Sequence, residues 1–81
     1  MAVTIAYERI AADLHAIWGD MAFAMLRKRL RDVHAELATL TRDDLVKIVQ
    51  LLRERTLPAV IGEEGAEAKA TQYLAWVDDA A

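Results

Sequence analysis

The chain has 81 residues, a formal net charge of −3 and no cysteine. That length sets one domain spanning residues 1–81 with a small core, the missing thiols exclude disulfides and thiolate metal cages, and the acidic balance weighs against a dedicated nucleic-acid binder. Hydrophobic residues make up 56% of the chain, with one proline and three glycines, a composition of ordered helix rather than of a low-complexity tail.

The most apolar region, about residues 3–26, is interrupted by Glu8, Arg9, Asp13, His15 and Asp20. No stretch therefore approaches the ~18 apolar residues of a membrane span. Acids as early as Glu8 also argue against a secretory leader. A cytoplasmic, membrane-free protein is expected.

In the first segment, Val3, Tyr7, Ile10, Leu14, Ile17 and Met21 alternate spacings of four and three, the seam of a coiled-coil-like helix. Leu26, Leu30, Val33, Leu37 and Leu40 continue the alternation in a shifted phase. Gly19-Asp20 lies between them. Glycine costs a helix interior about 1 kcal/mol relative to alanine, and it could end one helix while Asp20 caps the next. The apolar stripe hardly lapses there. The pattern favours one helix over about residues 4–38, bent near Gly19, above two helices at about 4–18 and 20–38.

Thr41-Arg42-Asp43-Asp44 reads as a helix start, with Thr41 as cap, Asp44 in the capping-box position and two acids at the positive dipole end. The helix is predicted to reach about Thr56 and to stop before Pro58. Locally, Thr41 to Val49 resembles the capped second helix of the colicin nuclease immunity proteins, small acidic four-helix inhibitors. Their Tyr-Tyr-Pro recognition motif is absent, so the resemblance ends with that segment. Residues 57–63 are expected to form a connector, and a last helix is predicted over about 64–78. Its inward positions are Ala66, Ala70, Tyr73, Leu74 and Val77, with Trp76 on a flank.

The fold class expected is all-α: a long or Gly19-bent N-terminal helix plus two shorter antiparallel helices, either a four-helix bundle closed on itself by a turn at Gly19 or a bundle completed by dimerisation. A continuous first helix would be about 52 Å long, whereas each later one reaches only about 22 Å. The short pair would leave Tyr7, Ile10, Leu14, Ile17, Trp18 and Met21 uncovered. Exposing such a stripe is unfavourable by about 1.5–3 kcal/mol per large side chain. Burial against a second copy or another protein's helix would relieve it. These six residues are the candidate protein interface.

Three other constellations bear on chemistry. Arg27, Lys28 and Arg31 point outward on the predicted helix, with Arg29 at its edge. They could meet phosphates, but no aromatic interleaves them for stacking, and Asp32 and Glu36 follow at once. Glu63, Glu64 and Glu67 have the spacing to hold a hard cation such as magnesium. The run Ile61 to Glu67 resembles the acidic helix of the all-helical nucleotide pyrophosphohydrolases. In that family a second acidic motif on a following helix completes the metal site. Here Asp78 is about 16 Å from Glu67 along the same helix, too far to share an ion. His15 and His34 lack ligand spacing and read as flank residues. No catalytic residue, cofactor or metal ligand is expected, and the function expected is a non-catalytic protein-interaction module with a homodimer as one form.

Overall fold

A computed structural model describes residues 3–79. It is 88% helical with no strand among those residues, which establishes the all-α class. The first helix, α1, spans Val3–Trp18 and the second, α2, spans Met21–Asp32. A short 3-10 turn at Leu37–Thr39 leads to α3, Arg42–Leu51. This runs through a π-helical turn, Leu52–Thr56, into α4, Pro58–Asp79.

The continuous first helix is not formed. Gly19 takes a φ of +68°, and its amide donates to the His15 carbonyl at 2.6 Å, closing α1. Left-handed backbone is open to glycine without steric cost, so one residue suffices to reverse the chain. The reversal lays α2 beside α1. Ile10 and Leu14 become fully buried, and Ala22 and Leu26 with them. That burial outweighs the helical bonds lost at the turn. A rod of about 52 Å would not fit a molecule whose extents are 30 × 22 × 19 Å. The Asp20 side chain makes no cap bond to α2 and faces His15 Nε2 at 3.4 Å instead.

The expected uncovered stripe is corrected by the same turn. Tyr7, Ile10 and Leu14 lie in the chain's own core. Ile17 and Trp18 are partly buried against it, and Met21 alone of the six is strongly exposed, at 64%.

α2 ends at Asp32, well short of residue 38. The stop is a Schellman motif built on a histidine. His34 sits at φ +55°, its amide donates to Arg31 O at 3.1 Å, and the Ala35 amide donates to Leu30 O at 2.9 Å. Histidine tolerates this conformation better than most side chains, so no glycine marks the boundary.

The capping box at α3 is formed as the sequence predicts. Thr41 Oγ1 accepts from the Asp44 amide at 3.1 Å, and Asp44 Oδ2 accepts from the Thr41 amide at 3.2 Å. Pro58 acts one turn early. It has no N–H to offer the Glu54 carbonyl, and its ring would crowd that oxygen in a regular helix. The backbone widens instead, with the Leu57 amide donating to Leu52 O at 2.7 Å. Leu57 is buried by this turn. The expected connector is partly helical: Ile61 N donates to Leu57 O at 2.9 Å before Gly62, at φ +76° and ψ 171°, breaks α4. Beyond Gly62, Ala66, Ala70, Tyr73 and Val77 face the core, as their spacing requires.

Three substitutions test these turns by urea denaturation. Gly19→Ala should lose about 1–2 kcal/mol, because alanine pays the left-handed cost there although no atom blocks its Cβ. His34→Gly should gain up to about 1 kcal/mol by removing that cost. Leu14→Glu should abolish the cooperative transition, since it places an unpaired carboxylate in the core.

Candidate functional site

The α1–α2 corner holds the most exposed large apolar side chain of the described residues. Met21 is 64% exposed and Phe23 is 48% exposed, both in the first turn of α2. Trp18, three residues before Met21, is partly buried at the end of α1. The Phe23 ring lies 5.4 Å from the His15 ring, and His15 in turn faces Asp20. The ring contact and the polar contact each join α1 to the far side of the turn. The exposed apolar groups stand in the first turn of α2 rather than in a loop.

The second feature joins α1 to α4. Tyr73 is fully buried, and its hydroxyl donates to Asp13 Oδ2 at 2.6 Å. Lys69 Nζ reaches the same oxygen at 2.9 Å. Burial works to raise the Asp13 carboxyl, but the bonds from Tyr73 and Lys69 and the ammonium charge outweigh it and hold Asp13 below its ordinary 3.8. Burial first, then the Asp13 hydrogen bond and charge, push the Tyr73 phenol well above its ordinary value of 10.0. Beside this group Arg9 stacks over the Trp76 ring at 4.4 Å. Trp76 is therefore occupied within the fold. Asp13 and Tyr73 are sixty residues apart, and no local spacing announces their bond.

The basic run splits. Arg27, Lys28 and Arg31 are exposed, as predicted, but Arg29 is only 4% exposed. Its Nε lies 3.3 Å from Asp32 Oδ2, without the alignment of a hydrogen bond. Arg29 is a buried structural cation and not part of an outward basic face.

The acidic run splits as well. Glu63 and Glu67 line a cleft of about 360 Å³ together with Arg53, Glu54 and Pro58, whereas Glu64 does not. Among the described residues, no group of three or more histidine or carboxylate side chains is gathered to hold a metal ion. The three glutamates picked out by spacing are therefore not brought into one coordination site. Arg53 and Glu54, which sequence spacing did not single out, reach the cleft because the π-helical turn and Gly62 fold the end of α3 against the start of α4.

Comparison with protein families, characterised proteins and solved structures gives no match.

The Asp13 network sets two pH edges. Asp13 is held low, so its contribution is present above the carboxyl's ordinary range and is lost as pH falls through the folded value, below 3.8. Tyr73 is held high, so its contribution is present below pH 10.0 and declines above it as the unfolded phenol ionises. Tyr73→Phe should cost about 1–2 kcal/mol at neutral pH. It should also flatten both edges in denaturation curves recorded across pH.

Proposed function

We propose that this protein is a non-catalytic protein-interaction module, an adaptor, regulatory subunit or inhibitor, that covers a partner's surface with its α1–α2 corner. The observation that carries this reading is the exposure of two large apolar side chains, Met21 at 64% and Phe23 at 48%, in the first turn of α2, where their spacing sets them at the two edges of its outer surface next to the Gly19 turn. Aromatic and methionine side chains are enriched at the centres of interfaces, because they offer large apolar area at little conformational cost. The site residues are Trp18, Met21 and Phe23. Tyr7, Ile10 and Leu14 belong to the core and not to this surface. The energy of association would come from taking the corner out of water and from its fixed geometry, which lowers the ordering cost of binding.

A cytoplasmic setting belongs to the same proposal. The chain has no cysteine to use in an oxidising compartment, and no described helix is long and apolar enough to cross a membrane.

Photo-crosslinking tests the reading. A benzoylphenylalanine placed at the exposed Ala24 in the cells that make the protein should give one adduct of discrete mass. Adding Met21→Ser and Phe23→Ser should lower its yield at least about tenfold. Met21→Ser should change stability by no more than about 0.5 kcal/mol, whereas Phe23→Ser also removes the His15 ring contact and should cost about 1 kcal/mol. An adduct of undiminished yield in the serine variant would count against the corner, and no adduct at all against the function.

A further inference from the structure

Two faces of the fold carry charges that it leaves uncommitted. On α2 the outer surface begins with Met21 and Phe23 and continues, over the next two turns, with Arg27, Lys28 and Arg31, all exposed. At the α3–α4 junction the cleft of about 360 Å³ sets three carboxylates, Glu54, Glu63 and Glu67, against one guanidinium, Arg53. Val60, exposed at 41%, stands close by in the chain, before the Gly62 break. The ion pairs among the described residues are His15–Asp20, Arg29–Asp32, Arg42–Asp78 and Lys69–Asp13. None involves a charge of either face. The two surfaces carry an excess of charge of opposite sign.

Resting on the reading of the chain as an interaction module, we infer that its partner is a second copy of itself, the basic face of α2 on one copy docking into the Arg53–Glu67 cleft of the other. Arginine and lysine have long, flexible stems that can carry their charge into a concave, acid-lined site. There they meet three carboxylates that share one guanidinium, Arg53, while Met21 and Phe23 supply apolar contact beside them. A phosphate surface fits less well. The three cations have no interleaved aromatic for stacking bases. Each copy carries both faces, so the pairing is either doubled about a twofold axis or extended head to tail.

Charge exchange tests this directly. Sedimentation velocity should show the natural chain associating, and more weakly as salt rises from about 50 to about 500 mM. The variants Arg27→Glu/Lys28→Glu/Arg31→Glu and Glu54→Lys/Glu63→Lys/Glu67→Lys should each associate at least about tenfold more weakly alone. An equimolar mixture of the two should associate again, because the reversed faces complement each other. The single changes Lys28→Glu and Glu67→Lys, alone and mixed, repeat the experiment with less burden on folding. A natural chain that stays monomeric up to about 1 mM would overturn the inference, as would mixtures that stay monomeric. If the copies stay apart while the Ala24 crosslinker captures a polypeptide of different mass, self-docking is excluded and the interaction module stands. Loss of both signals removes both.

Discussion

At Gly19 the backbone passes through a positive φ, and the packing of the N-terminal half follows from that one reversal. A helix that continued through this point would carry its apolar stripe out past the reach of the later helices. The reversal instead sets the stripe of α1 against that of α2, and α3 and α4 close the remaining sides. The gain scales with apolar area removed from water. The cost is confined to a residue type for which the left-handed region carries no penalty.

The middle and the C-terminal end of α1 are fixed to the molecule by different forces. At its middle, Asp13 gathers a buried phenol and an ammonium from α4, and Arg9 lies on the Trp76 ring nearby. These are directional contacts that select one rotation of α1 against α4. At the C-terminal end, the His15–Phe23 contact sits on the outside of the turn. The corner that carries Met21 and Phe23 is thus held from within and from without. A surface fixed in this way loses less entropy on binding than a mobile loop does.

Charge is distributed unevenly over this frame. Arg27, Lys28 and Arg31 stand on the outside of α2, and Glu63 and Glu67 of α4 share a cleft with Arg53 and Glu54. Arg29 shows the other use of a cation: enclosed in the bundle, it is tied to Asp32 one turn away and adds nothing to the outer face. A buried cation of this kind contributes little net stability after desolvation, but it constrains what can pack around it. Specific and structural charges thus come from one run of four basic residues, sorted by rotation about the helix axis.

The sequence alone determined the helical class, the capped start of α3, the disturbance before Pro58 and the inward face of α4. Each of these is written in residues within a few positions of one another, as caps, ring geometry and 3.6-residue spacing. It also marked Gly19 as a place where two paths were open, but it did not choose between them. That choice depends on whether another apolar surface is near enough to cover the stripe, a question of distance in space and not along the chain. For the same reason spacing placed Tyr7, Ile10 and Leu14 on an outer seam, whereas the fold uses them as core. It also missed the His34 stop, because histidine in a left-handed turn has no distinctive local pattern. The Asp13–Tyr73 bond, the burial of Arg29 and the meeting of Glu54 with Glu67 join residues from different elements or different rotations of one helix. Only tertiary packing decides which of them share a site, since burial and the pairing of charge are properties of the assembled bundle.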